Sequence, residues 1–190
     1  VFGDWSSDVC SSDLPAIGKI GQNIKYEYMV LARYGIRLDG ISFDTMIASY
    51  LLNPSRMSHG LDDISLDYLG HKMTTPIEAL IGKGKDRITM DKVDVDKVAA
   101  YCSEDSDVTF RLKHILSKKL AEHALDPLFA SVEMPLVGVL AEMEIAGVAI
   151  DRAYLAELSG EMKAKLAELT AEIHASAGEE FNINSPKQLS

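Results

Sequence analysis

Tyr101 and Asp105 stand four residues apart in the run Tyr101-Cys102-Ser103-Glu104-Asp105-Ser106-Asp107-Val108-Thr109. At helical spacing Val98, Tyr101, Val108, Leu112, Ile115, Leu116 and Leu120 form one apolar stripe. Asp105 falls in the middle of that stripe. A carboxylate on the inward face of a helix is costly unless a cation, a metal or several donors meet it. Two readings stay open. Acidic side chains gathered by a fold can hold Mg²⁺ or Mn²⁺, and two such ions can clamp the attacking and leaving oxygens of a phosphodiester while the tyrosine hydroxyl positions water. Alternatively, Asp105 is a core carboxylate paired with a local Lys or Arg.

The run Gly21-Gln22-Asn23-Ile24-Lys25-Tyr26-Glu27 repeats the pattern, with Asn23 and Glu27 four apart and Val30, Leu31 and Tyr34 continuing the face. Two such helices could converge two carboxylates on one site. Asn23 is equally an ordinary N-cap, and Glu27 equally a solvated acid. Gly82-Lys83-Gly84-Lys85 offers backbone N–H groups and two ammonium ions to a phosphate, or is simply a solvated loop. It lacks the P-loop pattern. Glu104 and Asp107 flank Asp105 on other sides of the helix and are expected to be solvated. The histidines (His59, His71, His114, His123, His174) show no zinc spacing.

The elements that must position these residues follow from local signals. A helix is expected over 23–34, stopped by Gly35, then a strand over 36–43 with a possible turn at Asp39-Gly40. Asp44 or Thr45 caps a helix running to Leu52, which Asn53-Pro54 ends. Asp62-Asp63 opens another, with Ile64, Leu66, Tyr68 and Leu69 inward. Residues 70–90 read as loop-rich, and a long helix runs from about Asp94 to His123.

Beyond Pro127 the reading is nearly all helical. Leu128, Val132, Leu136, Val139, Leu140 and Met143 recur at helical spacing, with a kink at Pro135. A break at 147–150 precedes a long helix capped by Asp151 and ending before Gly178, with Glu161 and Lys165 as an i,i+4 pair. Ser185-Pro186 opens a further helix, a pattern that reads as a fragment. Residues 1–14 are Ser/Asp-rich without amphipathic period and read either as foreign sequence or as a flexible terminus.

With 47% apolar and 25% charged residues, the 190-residue chain has an ordinary folded composition, room for one domain plus part of another. No apolar run approaches the ~20 residues of a membrane span. Cys10 and Cys102 make no disulfide framework, so a cytoplasmic setting is expected. A net charge of −10 argues against a DNA-coating protein, but not against an enzyme that holds nucleic acid through a few contacts and metal ions.

Over roughly residues 17–190 the chain resembles the bacterial family-A DNA polymerases. Gly21-Gln22-Asn23-Ile24-Lys25-Tyr26 is similar to the second motif of their 3′–5′ proofreading exonuclease, and Tyr101 to Thr109 to the third. Phe43-Asp44-Thr45-Met46, Gly82-Lys83-Gly84-Lys85, Glu133-Met134-Pro135-Leu136, Gly147-Val148-Ala149-Ile150-Asp151 and Phe181-Asn182-Ile183-Asn184-Ser185-Pro186 accompany them in order. The resemblance implies an α/β, RNase H-like exonuclease fold, N-terminally incomplete, over 15–123. The start of the polymerase domain, with thumb-type helices, would follow over 124–190.

It further implies Asp105 and Glu27 as ligands of two Mg²⁺ or Mn²⁺ ions and Tyr101 as the residue orienting water. Gln22, Asn23, Lys25 and Tyr26 would contact the single-stranded 3′ end of DNA. The partner it implies is DNA, as single strand or primer-template, in replication and repair, and the chain is expected to be a monomer without membrane contact. Two departures stand out. The family's Asp-x-Glu motif is absent, and Glu27 stands where the family has Asp. An isolated chain is therefore expected to be inactive. The alternatives are a catalytically silent module supporting the polymerase domain, or an unrelated ribonuclease of the same fold, which the helices after Pro127 disfavour.

Overall fold

The computed structural model describes residues 11–189. Of the segment 1–14 set apart above, residues 1–10, including Trp5 and Cys10, lie outside the described residues. Residues 11–14 are joined to the rest: the Asp39 amide donates to the Ser12 carbonyl (2.8 Å), and the Lys19 ammonium donates to that of Leu14.

The described residues form two compact units, one ending at Ala146 and one beginning at Gly147. The first is α/β. Strand β1 (Lys19–Gly21) leads through helix α1 (Ile24–Arg33) to strand β2 (Ile41–Asp44), which pairs parallel with β1 in the register Ile20↔Phe43 and Gly21↔Asp44. Parallel strands need a crossover of this kind, because a tight turn cannot reverse the chain twice. Helices α2 (Thr45–Leu52), α3 (Leu61–Leu69), α4 (Ile77–Ile81) and α5 (Val95–Glu122) follow.

Helix α5 is the spine. Asp94 caps it through the amides of Asp96 and Lys97, as the sequence signals predict. Its stripe Val108, Leu112, Leu116 and Leu120 is at most 1% exposed and meets Ile24, Phe43 and Ile64 in the core. Against α5 pack β1, α2 and α3, so both candidate motifs are tied to one core.

The start of α1 is unusual. Asn23 has φ 62° and its side chain caps nothing. The carboxylate of Asp44 does that work instead. It accepts from the amides of Ile24 (2.7 Å) and Asn23 (3.3 Å), and also from Met46 (2.8 Å) and Ile47 (3.2 Å). One buried acid thus caps two helices. At its other end α1 closes on Gly35, φ 72°.

Several local expectations are corrected. The strand expected over 36–43 begins only at Ile41, because Gly40 turns the backbone at φ 72°. A Cβ there would stand 2.7 Å from the Ile17 carbonyl oxygen. Leu66 is 54% exposed: two residues beyond buried Ile64, it lies on the opposite side of α3. The stripe expected after Pro127 is likewise turned outward. Helix α6 (Asp126–Leu128) passes through a π-turn (Phe129–Glu133) into helix α7 (Met134–Ala146). That wider turn sits where Pro135 cannot donate a hydrogen bond and its ring crowds the preceding turn. The phase shifts, so Phe129, Met134, Val137 and Ala141 are buried while Val132, Val139 and Met143 face out. The buried side of α7 packs against α1.

In the second unit, helix α8 (Arg152–Ala177) is capped by the Asp151 carboxylate at the Tyr154 amide (2.9 Å) and ends at Gly178, φ 78°. Lys165 pairs with Glu168 (2.7 Å) rather than with Glu161. The i,i+3 partner also lies on the same face, which spacing alone cannot decide. A short helix α9 (Pro186–Leu189) follows.

Candidate active-site cleft

A cleft of about 630 Å³ opens between β1, α1 and α5. Its walls include Tyr101 and Asp105 from α5, Glu27 from α1, and Gln22 from the turn between β1 and α1. The two motifs, far apart in sequence, therefore meet on one surface.

Tyr101 donates its hydroxyl hydrogen to Asp105. Burial, the Asp105 charge and that hydrogen bond push the phenol pKa up to about 12. Tyr101 thus stays protonated near neutral pH and acts as a hydrogen-bonding group, not as a base. The Asp105 carboxyl is raised above its ordinary value, first by burial and then by the charges of Asp62 and Glu104, while the Tyr101 hydrogen bond pulls it down. Glu27 is raised as well, by burial and by the Asp44 charge. No Lys or Arg pairs with either acid among the described residues. The core ion pair left open for Asp105 is not formed.

Gln22 is held at the cleft edge. Its amide donates to the His59 carbonyl (2.8 Å), and its oxygen accepts from Thr45. Asn23 and Lys25 line a different, smaller cavity of about 210 Å³ beside Asp44 and Glu133, and Lys25 pairs with Glu144 of α7. Tyr26 is 64% exposed on the surface. Of the four residues expected to contact a DNA end, Gln22 alone lines the cleft.

Three acids near the cleft escaped the sequence reading of the site. Asp62 acts on both Tyr101 and Asp105 through its charge. Asp44, foreseen as a cap of α2, also raises Glu27. Glu104, expected to be solvated, instead clamps the segment after α3. It accepts from the amide of Thr74 (3.0 Å), from the Thr74 hydroxyl (2.7 Å) and from His71 Nε2 (3.0 Å). Its carboxyl is held below the ordinary value, mainly by the Thr74 hydroxyl. Nothing local distinguishes Glu104 from a solvated helix acid, since its partners lie some thirty positions away in sequence. Asp107 is the expected solvated acid, paired with Arg111 at 3.4 Å.

Glu27 and Asp105 are carboxylates suited to a hard divalent cation. Among the described residues, however, no three His, Cys, Asp or Glu side chains gather as a metal cluster. This donor set does not by itself make a two-ion centre.

A family model described as 3′–5′ exonuclease matches residues 13–121. The chain is 44% identical over 171 residues to DNA polymerase I of Rhizobium leguminosarum, covering 90% of this chain and 17% of that protein. It is 40% identical over 174 residues to DNA polymerase I of Pseudomonas aeruginosa, covering 90% of this chain and 19% of that one. The chain therefore spans less than a fifth of the length of these relatives. Among solved structures it is similar to the POL domain of Pol1 from M. smegmatis, in complex with DNA primer-template and dNTP. The TM-score is 0.74 at 26% identity, covering 94% of this chain and 27% of that one. The chain belongs to the 3′–5′ exonuclease family of bacterial DNA polymerase I.

Proposed function

We propose that this chain is the proofreading region of a DNA polymerase I, residues 15–123 belonging to the exonuclease domain and 124–190 opening the polymerase domain. The reaction assigned to the parent is hydrolysis of the 3′-terminal phosphodiester of DNA with release of a nucleoside monophosphate, in replication and repair. The setting is cytoplasmic, the chain a monomer and the partner a single-stranded 3′ end or primer-template. The observation that carries this reading is the cleft on which Tyr101, Asp105, Glu27 and Gln22 meet.

Two Mg²⁺ or Mn²⁺ ions, when bound, would activate water and neutralise charge on the phosphate. Asp105 and Glu27 would supply part of their ligand set. Tyr101, protonated and already hydrogen-bonded to Asp105, would orient the attacking water. Gln22, fixed by His59 and Thr45, would shape the wall against the terminal nucleotide. The remaining ligands correspond to the Asp-x-Glu motif that this sequence lacks, so the isolated chain is inactive. Excision of a 3′-labelled single strand in Mn²⁺, with Asp105→Ala as control, tests this. Release that is lost in the variant would overturn the inactivity claim and keep the site.

A second reading, a catalytically silent module supporting the polymerase domain, is favoured by the incomplete cluster and by Glu27 in place of the family's Asp. Excision by a parent with a complete Asp-x-Glu motif, compared with its Glu27→Asp variant, separates the two. Proofreading already present with Glu27 would end the silent reading.

A further inference from the structure

We infer that the segment 71–88 is a built phosphate-binding strap, taking the backbone of a single DNA strand that passes Tyr101 out of the cleft. This rests on the proposed function and adds a contact surface to it.

The strap is anchored at several points. Glu104 grips its start through His71 and Thr74 (3.0 and 2.7 Å). Met73 and Ile81 are buried at 9% and 5% exposure. The Ile88 amide donates to the Ile81 carbonyl (2.8 Å), closing the loop between them. Within it Gly82 has φ 80°, and a Cβ there would press on the Asp86 carbonyl oxygen at 3.2 Å, so the tight turn requires glycine. The closed loop projects Lys83, Lys85 and Arg87, all exposed and none in an ion pair among the described residues.

Its position relative to the cleft gives it a partner. Tyr101 lines the cleft on one side and a second cavity of about 590 Å³ on the other. That second cavity is bounded by Thr74, Ala79 and Leu80 of the strap and by Lys97, one turn before Tyr101 on α5. The far side of α4 bounds a third hollow together with Lys83 and Arg87. Lys97 thus lines the hollow that Tyr101 shares, and Lys83 and Arg87 line the hollow on the far side of α4. The strap carries Lys72, Lys83, Lys85 and Arg87 against Glu78 and Asp86, a positive balance in a chain of net charge −10. A flexible polyanion threading past Tyr101 is the ligand that suits these cations.

The test uses the 190-residue chain and 5′-fluorescein oligothymidylates of about four and about sixteen residues, lengths that bracket common single-strand site sizes. Anisotropy titrations over a range of salt compare it with Lys83→Ala/Lys85→Ala/Arg87→Ala, whose unchanged melting temperature serves as the folding control. Each lost contact to a single strand removes about 0.7 from the slope of log K against log salt. The triple variant is therefore expected to lose about 2 from that slope and to bind the longer strand roughly tenfold more weakly. The short strand is expected to be unaffected. Equal affinity and slope for the longer strand in both proteins would overturn the strap while leaving the cleft reading standing. Loss for the longer strand without any short-strand binding would show a basic loop that binds on its own and would overturn the strap as the exit path of a strand held in the cleft. Absence of binding at either length would overturn both.

Discussion

Asp105 carries its charge under strain from its surroundings: burial, Asp62 and Glu104 all disfavour it, and only the Tyr101 hydroxyl supports it. Its folded pKa lies above the ordinary 3.8, so the folded chain holds that proton more tightly than the unfolded one. By linkage, the stabilising contribution is complete below the unfolded value and is lost as pH rises through the folded one. At neutral pH the ionised carboxylate is then a standing cost. Asp105→Asn keeps an oxygen to accept from Tyr101 and removes the charge. In thermal unfolding at pH 7 without divalent ions the variant is expected to melt at the same temperature or about 2 °C higher, and to show a smaller fall in stability between acid and neutral pH than the native chain, Glu27 and Asp44 keeping their share of it. A drop of several degrees would instead show that the ionised carboxylate stabilises the fold, against the direction of its shift. The spacing of Tyr101 and Asp105 made this pair legible from the residues alone. The Asp62 charge did not show there, because the sequence reading places it only as the opening acid of a different helix.

At the scale of elements, the joint between β2, α1 and α2 depends on one carboxylate. Asp44 is 1% exposed and accepts four backbone amides, two from each helix start. Asp44→Ala removes both caps at once and is expected to lower unfolding stability by about 2–4 kcal/mol in urea titrations. A loss under ~1 kcal/mol would mean that the α1 cap matters little. The cap on α2 was readable from Asp44-Thr45, since N-caps act on the next few amides. The cap on α1 was not, because Asn23, the obvious local choice, sits in a left-handed conformation and caps nothing.

Helix α5 shows the opposite case. Its limits, cap and buried stripe all follow from local pattern, because a 28-residue periodic run leaves the chain few alternatives. The helix after Pro127 was legible as a helix but not as to which face is buried, since apolar residues surround it and the π-turn resets its phase. The Glu104 clamp is a contact between elements with its own pH signature. Its carboxyl is lowered from 4.5 by Thr74 and His71, so the clamp is complete above that value and is lost as pH falls through the lowered one. Amide exchange at Thr74 is expected to lose its protection on acidification in the native chain, and to lack it at neutral pH in Glu104→Ala. Protection at Thr74 that survives in the variant would show that the strap is held by Met73 and Ile81 alone.

Across the whole molecule stability is distributed unevenly. The first unit gathers its core around α5, whereas α8 in the second unit has no buried side chain along its 26 residues. Its Ala, Leu, Glu, Lys and Met content favours helix, and it exceeds the ~12–15 residues below which an isolated helix is marginal in water. Such a helix forms but opens readily, because most helical stability in proteins comes from packing an apolar face. Met162, Leu166, Leu169 and Ile173 make such a face and are 41–63% exposed. In dilute solution the amides of α8 are therefore expected to exchange at least about a hundredfold faster than those of Val108 to Leu120. Slow exchange in α8 would mean that the apolar face is covered. If the rate then rose on dilution, self-association would be the cover, and if it did not, the cover would lie within the chain itself.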